Sequence, residues 1–269
     1  MIIEQTYSLL KQLYGDKLNK LVVADVRIGL YLTAVRLSDA SVGTSATLDN
    51  EHPFCAKSDR DFGDFTPLKI RGKKVMDILD TQKKSGTISS LKTAVLSATS
   101  SKIISSGKYK IIDNYDPIQL LDLNSVKRIA IVGAFQSYIR KVSQTGNRLS
   151  VLELNENALA PEQKKYYAPA GEYKKILPES DIVIITGQTL VNRTIDDLLS
   201  VIAEGTQVVV TGPSSNIIPD ILFKNKVSII GAVRITDPEV LFDVVSEGGT
   251  GYHLFEYCAR KICILKGDE

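Results

Sequence analysis

The sequence has 269 residues, which allows one or two domains. Hydrophobic residues make up 43% and charged residues 24%, the balance of an ordinary globular protein. The net charge is +2 and no basic block occurs, so neither nucleic acid nor an anionic membrane is the expected partner. No apolar run approaches the roughly 18 residues of a membrane span.

The N-terminal residues form an amphipathic pattern that predicts a helix ending at Gly15. This segment carries Glu4 and lacks both a basic start and a small-residue cleavage site, so it does not read as a signal peptide. The chain has three cysteines, an odd number without the spacing of a disulfide framework. We therefore expect a cytoplasmic location.

The next segments predict a small antiparallel sheet. Residues 21–30 and 31–37 alternate partly between apolar and polar side chains, with Gly29 near their junction, and indicate a hairpin or meander. Residues 43–48 are a candidate third strand, inside a polar stretch that extends from 38 to 64. A loop of this length in a compact domain is more often functional or mobile than inert.

Two helices are predicted after the polar stretch, at residues 72–82 and 87–104, the second with Ser89 or Ser90 as a candidate cap. Strands followed by helices indicate an α+β domain, predicted over residues 1–112. Turn-forming residues end this part of the chain, and Pro117 disfavours helix at the residue before it.

From Arg128 onward the pattern changes to strand, turn and helix in repetition, which predicts a mainly parallel, doubly wound α/β sheet over residues 113–269. The fold class is therefore α/β, with a Rossmann-like C-terminal domain after a smaller α+β domain. Helices are expected at residues 136–143, 195–203 and 238–247. Strands are expected near residues 128–133, 149–155, 181–187, 206–212, 227–232 and 261–266.

Gly133 ends the first strand of this repeat, and Glu153 lies near the end of the second. A glycine turn and an acidic residue about twenty positions later are typical of nucleotide-binding folds. No further glycine follows Gly133 before Gly146, so G-x-G-x-x-G is absent and standard dinucleotide binding is disfavoured. The alternative is a simple tight turn and a solvated strand end, while S-adenosylmethionine, which has no phosphate, is less strongly excluded.

Thr-Gly pairs recur at the ends of two neighbouring strands, at Thr186-Gly187 and Thr211-Gly212. The first belongs to residues 181–199, a buried strand, a polar loop and a helix for which Thr194 is a good N-cap. Because parallel strands end at one edge of a sheet, the two loops predict one rim rich in hydroxyls and an amide. Turn and cap chemistry is the alternative for either loop alone.

A metal centre is not indicated. His52 and Cys55 have a chelating spacing, but two ligands do not close a tetrahedral zinc site. Cys258 and Cys263 are five residues apart, a spacing that suits neither one helix face nor a zinc-binding pair. We expect a surface histidine and partly buried cysteines.

Catalytic residues cannot be identified by motif, since no G-x-S-x-G and no Ser-His-Asp or Cys-His set is recognisable. Acids that could act as a general base are Asp25, Glu51, Asp113 and Glu153.

Several strings resemble a two-domain prokaryotic family described as putative heavy-metal-chelation proteins. The most specific are T-G-Q-T-L-V-N-R-T at residues 186–194 and V-V-V-T-G-P-S-S at residues 208–215. Shorter strings lie at residues 130–135, 151–155, 229–233 and 237–239. Arg193 stands where a glycine is expected, and residues 99–101 carry Thr and Ser where relatives tend to carry Asn.

The resemblance implies an enolase N-terminal-like domain followed by a Rossmann-like domain, with a ligand site in the cleft between them, partly similar to methyltransferase pockets. It also implies a role in making or handling metal-binding small molecules such as pterins, flavins or siderophores. The residues to which it points are Gly133, Phe135, Glu153, Thr186, Gly187, Thr189, Asn192, Thr194, Gly212, Pro213, Ser214 and Ser215.

Three hypotheses follow. The first is an enzyme of condensation, hydrolysis or group transfer on a small heteroaromatic or chelator-like molecule, and the second is a non-catalytic binder of a metal–chelator complex. The third is an S-adenosylmethionine-dependent methyltransferase. The expected partner is a small-molecule ligand such as a metal chelator, no protein-held metal is expected, and the sequence names no cofactor. Assembly into a homo-oligomer stays open.

Overall fold

The N-terminal part of the chain contains one helix followed by an antiparallel sheet. A computed structural model describes residues 1–48 and 65–267. Helix α1 (Ile2–Tyr14) is capped by Gly15, where the sequence predicted its end. Strands β1 (Val23–Ile28), β2 (Leu32–Leu37) and β3 (Val42–Ala46) pair in that order, which confirms the predicted hairpin and third strand.

Helices α2 (Val75–Asp80) and α3 (Gly86–Ile104) follow. The prediction that Ser89 or Ser90 caps α3 is wrong, because the helix begins earlier and the Ser85 hydroxyl accepts a hydrogen bond from the Ile88 N–H at 3.1 Å. The Ser90 hydroxyl instead donates to the Gly86 carbonyl, one turn back along the helix.

Gly43 allows β3 to lie directly against α3. A methyl group at this position would overlap the backbone nitrogen of Ala98 and the backbone oxygen of Ala94. The side chains of β2 alternate, so that Val35 and Leu37 join the large hydrophobic core that contains most of the buried face of α3. The sequence predicts a strand at Gly43 but not this close approach.

The C-terminal part contains one eight-stranded sheet in the order β4-β11-β10-β9-β8-β5-β6-β7. The strands from β5 to β10 run parallel; at one edge β11 pairs antiparallel with β10, and β4 pairs antiparallel with β11. The order of the parallel strands reverses direction after β7, which confirms the predicted doubly wound α/β class. Their bounds are β4 (Lys110–Asp113), β5 (Arg128–Val132), β6 (Arg148–Glu153), β7 (Tyr167–Pro169), β8 (Ile182–Thr186), β9 (Gln207–Thr211), β10 (Val227–Ile235) and β11 (Ala259–Leu265).

Helices cover both faces of this sheet. In β8, Val183 and Ile185 belong to one hydrophobic core while Ile182 and Ile184 belong to another, and all four side chains are fully buried. This burial of both faces explains why the sequence of β8 is a continuous run of apolar residues. The helices are α4 (Gln136–Ser143), α5 (Tyr173–Ile176), α6 (Gln188–Val191), α7 (Ile195–Val201), α8 (Pro219–Lys224), α9 (Pro238–Ser246) and α10 (Gly251–Tyr257). Across the described residues, no helix is long and apolar enough to cross a membrane.

The two sheets are joined by packing and by chain connection. The other face of β2, with Leu32 and Ala34, packs into a third hydrophobic cluster that includes Leu241 and Phe242 of α9. Strand β4 lies where the sequence suggested a division at residue 112, and it pairs with β11 of the large sheet. The exact domain boundary stays a prediction.

Candidate ligand-binding site

A cavity of about 630 Å³ opens at the carboxyl ends of β5, β6 and β8. Strand β5 is the turning point of the sheet, because the chain leaves it first toward β6 and later returns to build β8 on its other side. The loops that follow β5 and β8 therefore separate and leave a crevice, the usual ligand site of doubly wound sheets. We call this crevice the switch-point cavity. Among the described residues, its walls are formed by Val132, Gly133, Ala134, Phe135, Leu152, Glu153, Leu154, Ala158, Ala170, Gly171, Tyr173, Thr186, Gln188, Thr189, Asn192, Thr194, Asp197 and Leu198.

Gly133 forms the floor of the turn after β5. Its φ is +105°, and a side chain there would approach Thr186 Cβ and Cγ2 to 3.1 Å. Helix α4 begins three residues later without a side-chain cap. Ala134 and Phe135 line the cavity, and the Phe135 ring stacks on Tyr138 with centroids 5.3 Å apart. The turn thus presents an aromatic ring and an uncapped helix start to the cavity.

Glu153 ends β6 and lines the neighbouring wall. Its Oε1 accepts hydrogen bonds from the backbone N–H of Leu154 at 2.7 Å and of Asn155 at 3.3 Å. No described residue donates to Oε2. This arrangement holds the carboxylate in place while leaving one oxygen able to accept a hydrogen bond from a ligand hydroxyl or amine.

The loop before α7 presents the amide of Asn192. Its Oδ1 accepts hydrogen bonds from the Thr194 N–H at 3.2 Å and the Thr194 hydroxyl at 2.7 Å. The acceptor side of the amide is therefore occupied, which orients the Nδ2 group as a donor to a ligand. Thr194 occupies the predicted N-cap position, but its hydroxyl makes no cap hydrogen bond and instead donates to Asn192.

Thr186 and Thr189 complete this wall. The Thr189 hydroxyl donates to the Thr186 carbonyl at 2.7 Å, and Thr186 Oγ1 accepts from the Gln188 N–H at 3.3 Å. Together the cavity brings seven of the twelve residues indicated by the sequence to one place: Gly133, Phe135, Glu153, Thr186, Thr189, Asn192 and Thr194.

The other five residues do not line the cavity: Gly187, Gly212, Pro213, Ser214 and Ser215. The loops after β8 and β9 are in direct backbone contact. The Gly187 N–H donates to the Thr211 carbonyl at 2.7 Å, and a methyl group on Gly187 would lie 2.8 Å from the Ser215 nitrogen. The Ser215 hydroxyl is within 2.6 Å of both the Gly212 and the Gly231 carbonyl.

The loop after β9 binds the N-terminal sheet instead. Ser214 Oγ accepts from the Ala46 N–H at 2.7 Å, and the Thr44 hydroxyl donates to the Pro213 carbonyl at 3.0 Å. These hydrogen bonds satisfy groups that the sequence alone suggested for ligand contact. Among the described residues, those that line the cavity all lie between residues 132 and 198, so no described residue of the small N-terminal sheet lines it.

Among the cavity residues that sequence reasoning missed, Tyr173 and Asp197 add an aromatic ring and a carboxylate to the walls. Tyr173 is the first residue of a four-residue helix, and no periodic pattern in the sequence predicts this helix. From the sequence, Asp197 is interpreted only as an acid that stabilises the first turn of α7. Because residues three apart lie on the same face of a helix, its spacing from Thr194 could have indicated that it lines the same cavity. Asp197 and Glu153 are the only charged residues lining the cavity in the described part of the chain, so the charged groups on its walls are both acidic.

The other described acids that the sequence offered as a general base lie outside the cavity. Burial alone would raise the pKa of Asp25, but its hydrogen bond and ion pair with Arg27 at 2.6 Å, and a further pair with Arg71, hold that pKa below its ordinary value. Asp113 pairs with Arg234. Neither acid lines the cavity, and Glu51 is outside the described residues.

A directly held metal does not fit the described residues, in which no group of three or more His, Cys, Asp or Glu side chains is placed to bind an ion. Cys258 and Cys263 are fully buried in separate hydrophobic clusters, and burial raises their thiol pKa values to about 11 and about 12. Such thiols stay protonated at neutral pH and are poor metal ligands. His52 and Cys55 lie outside the described residues.

Known structures share this architecture. A protein of unknown function from Pyrococcus horikoshii, of the DUF364 family, is 21% identical with a TM-score of 0.79, covering 99% of this chain and 100% of that chain. A DUF364 protein of unknown function from Desulfitobacterium hafniense is 18% identical with a TM-score of 0.71, covering 96% and 100%. At these identities the similarity shows the fold alone. No curated protein matches the chain.

Two family models match the sequence. One, DUF4213, matches residues 11–100, and the other, DUF364, matches residues 116–264; both are described as "Putative heavy-metal chelation". The second match alone covers more than half of the chain. The resemblance seen in the Thr-Gly strings is therefore confirmed, and the protein belongs to the DUF364 family of putative heavy-metal chelation.

Proposed function

We propose that this protein binds a small heteroaromatic molecule of the metal-chelating kind in the switch-point cavity. The observation that carries the proposal is the convergence of Glu153, Asn192 and Phe135 on one cavity of about 630 Å³. That volume suits a ligand of the size of a pterin or a flavin ring system. The walls combine apolar surface with a few oriented polar groups, as small-molecule sites do.

Each part of the cavity has a task in this proposal. The rings of Phe135 and Tyr173 provide aromatic surface for a flat ligand. The Asn192 Nδ2 group donates to a ring nitrogen or carbonyl, since Thr194 already occupies its oxygen. Glu153 accepts from a hydroxyl or amine through its second oxygen.

The family description concerns heavy-metal chelation, while the described residues offer no cluster of metal ligands. In the proposal, metal is handled through the small molecule, which supplies the donor atoms. The protein's own residues bind and orient that molecule and exclude water from one of its faces. Condensation, hydrolysis or group transfer on the bound molecule is the enzymatic form of this proposal, and simple binding of a metal–chelator complex is the non-catalytic form.

Glu153 favours a second candidate, S-adenosylmethionine. An acid at the end of the second strand of such a sheet is the group that accepts hydrogen bonds from ribose hydroxyls. This ligand has no phosphate and so does not need the glycine-rich turn that the chain lacks.

A thermal-shift panel separates the candidates, because a ligand that binds only the native state raises Tm by mass action. The panel contains a pterin, riboflavin, S-adenosylmethionine and a ferric hydroxamate complex. We expect one class to raise Tm and Asn192→Ala to abolish the rise. Asn124→Ala is the matched control, since Asn124 is exposed and does not line the cavity. A rise that Asn192→Ala leaves intact would place the ligand elsewhere, and no rise with any class would reject the proposal.

A further inference from the structure

The charged groups on the walls of the switch-point cavity have one sign. Glu153 and Asp197 line it, and no Lys, Arg or His is among its lining residues in the described chain. Neither acid is part of an ion pair between described residues. Among the described residues, Glu153 accepts hydrogen bonds only from backbone N–H groups, so no described cation is paired with this carboxylate on the cavity wall.

Two nearby cations do not change this balance. Arg193 follows Asn192 in the cavity loop, but its Nη1 lies 2.7 Å from Glu4 Oε1 and it does not line the cavity. Lys174 follows Tyr173, and its Nζ lies over the Tyr173 ring, 5.8 Å from the ring centroid. Neither is among the lining residues.

The N-termini of helices α4 and α7 do not reverse the negative sign of the charge on the cavity walls. The N-terminus of α4 carries a partial positive charge, equivalent to roughly half an elementary charge. The N-terminus of α7 has Asp196 and Asp197 in its first turn, and these acids offset its dipole. The two carboxylate charges of Glu153 and Asp197 outweigh the roughly half charge at each of these two helix starts.

Resting on the proposed function, we infer that the switch-point cavity selects ligands without net negative charge and rejects their phosphorylated counterparts. The substrate class is then an unphosphorylated heteroaromatic compound or nucleoside, neutral or cationic. A sulfonium, an amine or a ring that gains a proton would be favoured over a phosphate or carboxylate of the same shape. This distinguishes the cavity from those of nucleotide-binding proteins with the same strand order, which place a pyrophosphate at the helix start.

Matched ligand pairs test the inference by calorimetry on the full chain. The pairs are riboflavin with flavin mononucleotide, adenosine with AMP, and S-adenosylmethionine with its decarboxylated form, which carries one more net positive charge. We expect the less negative member of a binding pair to bind at least ~10-fold more tightly, the size expected for a partly screened charge repulsion. The ratio should shrink as the salt concentration rises.

Variants tie the preference to the two acids. Glu153→Gln and Asp197→Asn keep the shape of each side chain and remove its charge. Each should therefore bring the ratio of the two dissociation constants of a ligand pair closer to one. Glu156→Gln is the control, because Glu156 is exposed on the next turn and does not line the cavity. Equal or tighter binding of the phosphorylated member by the wild type would overturn the inference while leaving the proposed function standing. If no member of any pair binds and no ligand of the thermal-shift panel raises Tm, both the inference and the proposed function are overturned.

Discussion

Arg193 and Glu4 form an ion pair that ties the loop of the switch-point cavity to the first helix, with 2.7 Å between Nη1 and Oε1. A second link runs beside it, since the Ile2 N–H donates to Asp196 Oδ1 at 2.8 Å. Arg193 lies between Asn192 and Thr194, both of which line the cavity. The N-terminal helix therefore supports one wall of a cavity formed by residues far along the chain.

The backbone of Arg193 explains why a glycine was expected there. Its φ is +66°, in the left-handed region that disfavours residues with a side chain. The ion pair with Glu4 offsets part of this cost, but it is partly exposed and contributes no more than about 1 kcal/mol.

Arg193→Gly is expected to be more stable than Arg193→Ala by roughly 1 kcal/mol, measured by urea denaturation. Both variants lose the ion pair, so their difference isolates the backbone conformation. At ordinary helix or strand positions the order is the reverse. Glu4→Gln is the control for the ion pair and should cost less than about 1 kcal/mol. An alanine variant as stable as the glycine variant would show that the left-handed conformation costs nothing.

The sequence predicted the parts of the fold that follow from local patterns. The apolar run at Ile182–Thr186 predicted a strand that is buried on both faces. The alternation of strands and helices predicted the doubly wound sheet. Strands β4 and β7 were not predicted. They are short, at four and three residues, and exist because each has a long neighbour to pair with.

The candidate site was predictable only in part, for a physical reason. A threonine or serine after a strand can face a cavity or bond to nearby backbone, and the local sequence is the same for both. Asn192 lines the cavity, whereas Ser214 and Ser215 hydrogen-bond to the β3 backbone and to loop carbonyls. That choice depends on the position of β3, more than 160 residues away along the chain.

Gly43→Ala should destabilise the protein by roughly 2–4 kcal/mol, because the added methyl group would overlap the backbone of α3 at Ala94 and Ala98. Backbone atoms in the middle of a helix cannot move aside as a flexible side chain can. Gly146→Ala is the matched control, since nothing lies within 4 Å of a methyl group there. Its free energy of unfolding should stay within about 0.5 kcal/mol of the wild type. Equal effects of the two substitutions would contradict the close approach of β3 and α3.

Ser214→Ala should cost roughly 1–3 kcal/mol, because it leaves the Ala46 N–H without its acceptor. Ser214 is 2% exposed, so water has little access to replace the lost oxygen. Hydrogen exchange provides a local measurement, and the Ala46 amide should exchange faster in the variant. Ser106→Ala serves as the control, since the Ser106 hydroxyl bonds to the Ile103 carbonyl at the exposed end of α3. Unchanged protection at Ala46 would argue against this hydrogen bond as one of the links between the small sheet and the loop after β9.

Asp116 joins two elements of the large sheet region, because its carboxylate accepts hydrogen bonds from the Tyr138 hydroxyl and from Lys261 Nζ at 2.6 Å. Burial alone would raise the pKa of Asp116, but the hydrogen bond and charge of Lys261, together with the Tyr138 hydroxyl, hold that pKa below its ordinary value of 3.8. A lowered folded-state pKa stabilises the native state above pH 3.8, and this contribution is lost as the pH falls through the folded-state value.

Asp116→Asn should therefore reduce the free energy of unfolding by roughly 1–3 kcal/mol at pH 7, where the wild-type carboxylate is fully ionised. Below pH 3.8 the difference in the free energy of unfolding between variant and wild type should narrow, because the unfolded wild type takes up a proton at Asp116 before the folded protein does. Urea denaturation from pH 7 to pH 3 measures both curves. Asp25, Asp39 and Asp220 also have lowered pKa values, so both proteins lose stability in acid and the difference between them is the informative quantity. A difference that stays constant from pH 7 to pH 3 would mean that the carboxylate charge contributes nothing to the contact between Asp116, Tyr138 and Lys261.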